Sequence, residues 1–262
     1  MRLEGLYLYT GGRPFNPSRP SALLIHGAAN DHSVWALQSR YFAHHGWNVL
    51  APDLPGHGQS ASPPEESIEA LALRLARVLD ALEVPSAFVA GHSMGSLVAL
   101  ELAATRPERI ARLALLGTAV PMAVSDTLFD AARQDEPRAQ RMIVGWSFAA
   151  ASQLESRLQM PGFWLPGSLQ ALMARQPRGV LATDLNACRT YTNGLAAASR
   201  IAQPSLLILG ERDLMTPPKA ASELLSTLRA PELVRLPEVG HAMLFEAPEA
   251  VRRALWRFAH AR

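Results

Sequence analysis

The sequence predicts an α/β protein in which a mostly parallel, doubly wound sheet carries an inserted helical cap. Short apolar runs alternate with helical patterns over the first 118 residues, and the same alternation resumes after about residue 200. Such alternation is typical of βαβ units, with helices on both faces of a parallel sheet. The segment between them is rich in Ala, Leu, Met and Gln, and its helical stretches break at Pro161, Gly162, Pro166 and Pro177. We therefore predict a core of residues 1–119 and 201–262 and a cap of residues 120–200.

Six short apolar runs are predicted to be the strands of this sheet. Strands that are buried on both faces read as nearly continuous apolar runs, because both sets of side chains face helices. The predicted strands are residues 21–25, 47–51, 86–90, 112–116, 205–209 and 232–236.

Two amphipathic helices are predicted to pack on the sheet. Ser62, followed by Pro63 and Glu65, is typical of a capping box at a helix start. Apolar residues then recur at helical spacing at Ile68, Leu71, Leu75, Val78 and Leu82. A closing helix brings Val251, Leu255 and Phe258 onto one face.

Composition and charge favour one globular domain and exclude several other classes of protein. The 262 residues include 25 basic and 23 acidic side chains, and the basic ones are scattered, so no nucleic-acid partner is expected. Cys188 is the single cysteine, which excludes an internal disulfide and a cysteine zinc site. The N-terminus lacks the pattern of a signal peptide, and no apolar run is long enough to span a membrane. We expect a cytoplasmic protein, and a homodimer remains an open alternative.

The chemistry is indicated by the motif G-x-S-x-G at residues 91–95, with Ser93 at its centre. An apolar run leads directly into the motif and a helix-forming stretch follows it, which is the strand–turn–helix context of a nucleophilic serine. The turn must be tight enough to point the serine away from the backbone, so small neighbours such as Gly91 and Gly95 are needed. Ser93 is therefore the candidate nucleophile.

These features resemble the α/β-hydrolase fold family, and the resemblance covers the chain outside the cap. It implies an acid and a histidine that follow the serine in that order. Asp213, in a G-x-x-D segment after the strand at 205–209, is similar to the family's acid, with Glu211 as its competitor. His241 stands five residues beyond the last predicted strand, where the family keeps its histidine. The implied triad is Ser93, Asp213 and His241.

The resemblance also implies an oxyanion hole made of backbone amides. One amide is that of Met94, directly after the nucleophile, and the other is that of Ala28, in the loop after the strand at 21–25. Residues 53–60 are similar to a further loop of the family, which we interpret as a structural turn. No metal and no organic cofactor is expected.

The cap is predicted to line a soft apolar pocket over the serine. Its methionines are Met122, Met142, Met160 and Met173, and its aromatic residues are Trp146, Phe148, Phe163 and Trp164. Three further methionines, Met94, Met215 and Met243, fall within two residues of a member of the implied triad. Flexible thioethers and rings would accept varied acyl or alcohol groups, although core packing explains them equally well. Asp184, Arg189 and Tyr191 could orient a polar group, but a solvated helix face is the favoured interpretation.

The predicted function is hydrolysis of a small, apolar carboxylic ester through an acyl-enzyme on Ser93. Two alternatives stay open. One is hydrolysis of a carbon–carbon bond in a ring-cleavage product, which is disfavoured because such enzymes usually carry Trp after the histidine, where this chain has Ala242. The other is a ligand sensor with slow turnover on the same fold.

Overall fold

The computed structural model describes residues 1–154 and 164–261. Within them, eight strands form one sheet in the order β1-β2-β4-β3-β5-β6-β7-β8. The strands are β1 Arg2–Leu3, β2 Leu6–Tyr9, β3 Ser21–Ile25, β4 Asn48–Asp53, β5 Ala87–His92, β6 Ile110–Leu116, β7 Ser205–Gly210 and β8 Glu232–Leu236. From β4 to β8 the neighbouring strands are parallel, whereas β1 and β2 pair antiparallel at one edge. The predicted mostly parallel sheet is confirmed.

The six predicted strands correspond to β3–β8, with ends that shift by one or two residues. The two edge strands were not predicted. Leu6 and Leu8 of β2 are fully buried, while Tyr7 and Tyr9 alternate with them. This two-residue alternation was the available signal, but the strand is only four residues long.

Helices cover both faces of the sheet, as a doubly wound fold requires. The helices in the described residues are α1 Ala36–His44, α2 Ile68–Ala81, α3 Met94–Thr105, α4 Asp126–Gln134, α5 Glu136–Ser147, α6 Ala150–Leu154, α7 Leu165–Ala174, α8 Val180–Thr190, α9 Gly194–Ser199, α10 Ser222–Thr227, α11 Met243–Glu246 and α12 Pro248–Ala259. Side chains of β3 alternate between two apolar clusters. Leu23 and Ile25 join the cluster that contains α2 and α3, and Ala22 and Leu24 join the cluster that contains α1 and α12.

The predicted start of α2 was wrong. Ser67, not Ser62, is the N-cap residue, because its extended backbone lets its side chain accept a 3.1 Å hydrogen bond from the amide of Ala70. Ser62 instead donates to the carbonyl of Gly5 at 3.0 Å. Since Pro63 precedes Pro64, the backbone of Pro63 is disfavoured from the helical region, so a helix does not begin directly after Ser62.

Between β6 and β7 the described residues form the helices α4–α9 and no strand. Pro166 lies in the first turn of α7, where its missing amide hydrogen costs no helical hydrogen bond. Pro161 and Gly162, two of the predicted helix breaks, fall outside the described residues. Across residues 1–154 and 164–261, no helix combines the length and apolar character that crossing a membrane would need.

Candidate active site

Ser93 occupies a strained turn between β5 and α3. Its φ of 55° and ψ of −125° lie outside the regions that a non-glycine residue ordinarily adopts. The backbone amide of Ser93 donates to the carbonyl of Leu116 on β6 at 2.9 Å, which ties the turn to the neighbouring strand. Backbone strain of this kind costs about 1–3 kcal/mol and persists where the surrounding structure enforces it.

The glycines beside Ser93 are required by close packing. A side chain at Gly91 would meet the backbone of Gly95, and one at Gly95 would meet the backbone of Ile25 and His26. At Gly27 an added Cβ would lie 3.0 Å from the Cβ of Ser93. Backbone segments therefore approach one another around Ser93 so closely that only glycine, which has no Cβ, fits at these positions.

Asp213 and His241 form a buried hydrogen-bonded pair. Oδ2 of Asp213 lies 2.8 Å from Nδ1 of His241, and the two residues are 3% and 5% exposed. Glu211, the competing acid, is exposed. Burial alone would raise the pKa of Asp213, but His241 together with hydrogen bonds from Thr216 holds this pKa below its ordinary value. Asp213 is therefore an anion whose position fixes Nδ1 of His241 as the donor.

A second histidine, His92, lies directly against His241. Its Nε2 donates to the carbonyl oxygen of His241 at 2.9 Å, and the ring centroids are 4.9 Å apart. Burial and the neighbouring His241 lower the pKa of His92 to about 3. His92 is thus neutral, so it orients the loop that carries His241 without adding a competing charge.

The two residues predicted to supply oxyanion amides come from two different parts of the chain. Met94 is the first residue of α3, where free amides and the helix dipole favour negative charge. Ala28 lies in the loop after β3 and, with Ser93, lines the cavity described next. The following residue, Ala29, has a φ of 49°, a left-handed conformation that costs a non-glycine residue about 1–2 kcal/mol.

A cavity of about 70 Å³ is lined by both Ser93 and His241. Its wall is mainly apolar and comes from four helices of the 126–199 segment and from α11, which follows His241. The principal wall residues are Leu128, Ile143, Leu169, Met173, Leu185 and Phe245. Cys188 also lines the cavity, but burial raises the pKa of its thiol far above the ordinary value. A thiol held in its neutral form is a packing group and not a second nucleophile.

The prediction of cap methionines in the pocket is correct only in part. Met122 and Met173 line the cavity, and so does Met215, two residues after Asp213. Met142 instead packs against the core cluster beside α1 and α12. Met160 falls outside the described residues.

The prediction of cap aromatics in the pocket was wrong for the described residues. Phe148 is 1% exposed and packs in the core against Phe245, with ring centroids 6.3 Å apart. Trp146 packs on the same core, and Trp164 is 62% exposed. Phe163 falls outside the described residues. Periodicity places a ring on a helix but does not say which neighbour that face meets.

Comparison with known proteins agrees with this geometry. The family model of the alpha/beta hydrolase fold matches residues 20–248. The chain belongs to the α/β-hydrolase fold family. It is also 30% identical over 247 residues to a pimeloyl-(acyl-carrier protein) methyl ester esterase of Neisseria meningitidis, a match that covers 89% of this chain and 91% of that protein. This α/β-hydrolase is therefore an enzyme of the hydrolase class.

Two further comparisons show how widely the fold is shared. The chain is 30% identical over 246 residues to the dihydrolipoyllysine-residue acetyltransferase component of an acetoin cleaving system of Pseudomonas putida. That match covers 90% of this chain but only 62% of the longer protein. The enol-lactonase from Burkholderia xenovorans LB400 superposes with a TM-score of 0.87 at 24% identity, covering 98% of this chain and 96% of that one. This last likeness concerns the fold alone.

Thr216 was missed from the sequence, and Asp184 and Tyr191 were misread. Thr216 donates its hydroxyl to Oδ2 of Asp213 at 2.8 Å. Asp184, interpreted as part of a solvated face, is 2% exposed and accepts a hydrogen bond from the amide of Ala29 at 2.8 Å. Tyr191, interpreted in the same way, is 3% exposed and bonds Glu101 at 2.6 Å. The contacts of Asp184 and Tyr191 join residues that are 90 or more positions apart in the chain. The contact of Thr216 is local, and its D-x-x-T spacing from Asp213 was a readable turn signal.

Among the described residues, one group has the composition of a metal site: Asp31, His32 and Asp53, whose ligand atoms lie within 4.8 Å of one another. The carboxylates already have protein partners. Asp53 accepts from Nδ1 of His32 at 2.6 Å and from the amide of Gln59 at 2.7 Å, and Asp31 accepts from the amide of Ser33 at 2.9 Å. We interpret the group as a hydrogen-bonded turn.

Proposed function

We propose that this α/β-hydrolase cleaves carboxylic esters with a short apolar acyl group, using Ser93 as nucleophile, His241 as general base and Asp213 as the acid that orients the histidine. One observation carries the proposal. His241, joined to Asp213 at 2.8 Å, lines the same cavity as a serine held in a strained turn. Nucleophile, base and orienting acid are the set that acyl transfer to water requires.

In the proposed reaction, Oγ of Ser93 attacks the ester carbonyl carbon while Nε2 of His241 takes the hydroxyl proton. Since Nδ1 of His241 donates to Asp213, Nε2 is the nitrogen that can accept this proton. The tetrahedral intermediate collapses to an acyl-enzyme, and the alcohol leaves with the proton from His241. Water then attacks the acyl-enzyme with His241 again as base, and the acid and free Ser93 are released.

The amides of Ala28 and Met94 are the proposed donors to the oxyanion of each tetrahedral intermediate. Removing one such donor typically lowers kcat by about two to three orders of magnitude. Because both are backbone groups, their contribution depends on how firmly the two turns that carry them are held.

The proposed substrate class follows from the cavity. Its wall carries mainly apolar side chains, and its volume of about 70 Å³ is well below the roughly 300 Å³ of pockets that hold drug-sized ligands. A short acyl chain therefore fits without rearrangement. The esterase relative from Neisseria meningitidis acts on the methyl ester of an acyl chain, which supports an ester with a small alcohol as a substrate.

We also propose that residues 120–200 act as a cap on a core formed by residues 1–119 and 201–262. The cavity supports this division, because Met122, Leu128, Ile143, Leu169 and Leu185 wall it from one side and Ser93 and His241 from the other. In this arrangement the core carries the chemistry and the cap selects the acyl group.

The nucleophile is tested by labelling with a fluorophosphonate probe. Wild-type protein should be labelled and Ser93→Ala should not, while both unfold at similar temperatures. Ser147→Ala is the matched control, since Ser147 lines the same cavity but is not part of the proposed triad. Labelling that survives Ser93→Ala, or that disappears with Ser147→Ala alone, would contradict the assignment.

The substrate class is tested with p-nitrophenyl acetate, butyrate and octanoate. Each buried methylene contributes about 0.8 kcal/mol, so butyrate should exceed acetate in kcat/KM by about tenfold. Octanoate should be slower than butyrate because the cavity is short. Met173→Ala removes part of the cavity wall and should raise the kcat/KM for octanoate relative to that for butyrate. Activity confined to acetate would overturn the apolar pocket.

A further inference from the structure

Asp184 on α8 reaches from the helical segment to the loop that carries Ala28. Its Oδ2 accepts two hydrogen bonds, from the amide of Ala29 at 2.8 Å and from Nε2 of His57 at 2.8 Å. Asp184 is 2% exposed and His57 is 1% exposed, so neither group is solvated. A buried carboxylate is costly unless it is paired and hydrogen-bonded, and this one is both.

The hydrogen bonds of His57 specify its protonation. Nδ1 lies 2.9 Å from the carbonyl of Pro55, and Nε2 faces the carboxylate of Asp184. Both partners are acceptors, so both ring nitrogens must carry hydrogen, and His57 is an imidazolium. Burial opposes this charge, but Asp184, Pro55 and Asp53 together hold the pKa of His57 above its ordinary value.

The neighbouring histidine has the opposite state. His26 is 4.9 Å from His57 between ring centroids, donates from Nδ1 to the carbonyl of Gly27 at 2.8 Å, and accepts at Nε2 from the amide of Leu54 at 3.0 Å. Burial and His57 lower the pKa of His26 to about 4. The charged groups around His57 are thus Asp184 from α8 and Asp53 from the end of β4, and His26 at the end of β3 is neutral.

We infer that Asp184 is a positioning residue for the proposed oxyanion hole, and that His57 is the cation that holds its carboxylate in place. Ala29, which Asp184 binds, has the left-handed φ of 49° and directly follows Ala28. Holding the amide of Ala29 constrains the backbone of Ala28, whose own amide, one peptide unit earlier, is the proposed oxyanion donor. Helix α8 therefore completes the site from outside the core. This inference rests on the proposed function.

The expected effect of losing this contact is on kcat more than on KM, because an oxyanion donor acts mainly in the transition state. Asp184→Ala should lower kcat for p-nitrophenyl butyrate by about tenfold to a hundredfold, less than the loss of a whole donor. KM should change by less than about threefold. Asp184→Asn retains a side-chain oxygen that accepts from Ala29 and should recover most of the lost kcat.

The matched control is Tyr191→Phe. Tyr191 directly follows α8, is 3% exposed, and ties the helix to α3 through a 2.6 Å hydrogen bond to Glu101. If α8 mattered only as a structural support, Tyr191→Phe and Asp184→Ala would change kcat alike. We expect Tyr191→Phe to leave kcat unchanged while it lowers the unfolding temperature.

The outcomes separate this inference from the proposed function. If Ser93→Ala remained active, the proposed function would fail, whatever Asp184 does. If activity depends on Ser93 but Asp184→Ala keeps its kcat, the positioning role is wrong. If Asp184→Ala does not fold, the inference is tested with Asp184→Asn and His57→Gln instead. The kcat of Asp184→Asn should be near that of wild type, and the kcat of His57→Gln should be reduced. An equal loss of kcat in both variants would contradict the inference.

Discussion

Glu246 accepts a hydrogen bond from the amide of Gly240 at 2.7 Å, and Gly240 directly precedes His241. The second carboxylate oxygen of Glu246 accepts from the amide of Ala149 at 3.0 Å. Glu246 is 4% exposed, so both amides depend on it for a partner in place of water. One buried carboxylate thus joins the loop that carries His241 to the segment after α5.

This contact predicts that Glu246→Gln is destabilising. Glutamine has one accepting oxygen, so one of the two amides would face an NH₂ group and lose its partner. We expect a loss of about 1–3 kcal/mol in the free energy of unfolding, measured in urea. Esterase activity should fall as well, because the His241 loop is less firmly held. Glu249→Gln, at an exposed site, should stay within about 0.5 kcal/mol of wild type. Equal stability of the two variants would contradict the role of Glu246.

The comparison of sequence with structure shows which parts of the site are encoded locally. The tight turn at Ser93 could be predicted because the strand, the turn and the helix are consecutive in the chain. Strands such as β3 and β7 were predictable for the same reason, since each is a nearly continuous apolar run. Local patterns of this kind need no knowledge of the tertiary fold.

The contacts that support the site could not be predicted in this way. Asp184 and Ala29 are 155 residues apart, and Glu246 and Ala149 are 97 apart. Each of these carboxylates stands in a helix where the pattern equally fits a solvated residue. Their burial depends on how α8 and α11 pack against loops that are distant in the sequence. A local stretch of sequence does not contain this information.

Thr216 supplies the next prediction. Its hydroxyl and amide both donate to Asp213, at 2.8 Å each, and help to hold the pKa of Asp213 below its ordinary value. Thr216→Val removes the hydroxyl, so this pKa should rise. A carboxyl with a depressed pKa stabilises the fold above its ordinary pKa and loses that contribution as the pH falls through the folded value. Acid unfolding of Thr216→Val should therefore begin at higher pH than in wild type.

Thr216→Val should also lower kcat/KM at neutral pH by about tenfold, because it removes one hydrogen bond to a charged group. Thr216→Ser keeps the hydroxyl and is the control, with activity and acid unfolding close to wild type. Matching pH profiles for the valine and serine variants would show that the hydroxyl does not support Asp213.

Gly117 is expected to be essential for the position of His241. It has a φ of 53°, and an added Cβ would lie 3.1 Å from both Nδ1 and Cε1 of the His241 ring. Gly117→Ala should therefore displace the imidazole and lower kcat/KM by about a hundredfold, since small misplacements of catalytic groups carry large costs. Gly46→Ala is the control, because Gly46 has a φ of 90° and no atom within 4 Å of an added Cβ. It should lose stability through backbone strain but keep its activity.

The His57–Asp184 pair predicts how stability depends on alkaline pH. The pKa of His57 is raised above its ordinary value of about 6.5, so the pair stabilises the fold fully below that pH. The contribution is lost as the pH rises through the folded value, because Nε2 without hydrogen would face a carboxylate oxygen. The unfolding temperature of wild type should therefore fall from near neutral pH upward.

The comparison that isolates this effect is His57→Gln, which removes the titrating group while leaving Asp184 in place. Its unfolding temperature should be lower than that of wild type at pH 6, and the gap should narrow as the pH rises, since only wild type loses a proton from the pair. His45→Gln serves as the control because His45 is exposed and its ring contacts the carbonyl of Tyr41 and the rings of Tyr41 and Trp256, with no carboxylate partner among the contacts described. If the difference in unfolding temperature between wild type and His57→Gln stays constant across the pH range, His57 is neutral in the folded protein. The hydrogen bond between Nε2 of His57 and Asp184 would then require a proton on the carboxyl instead.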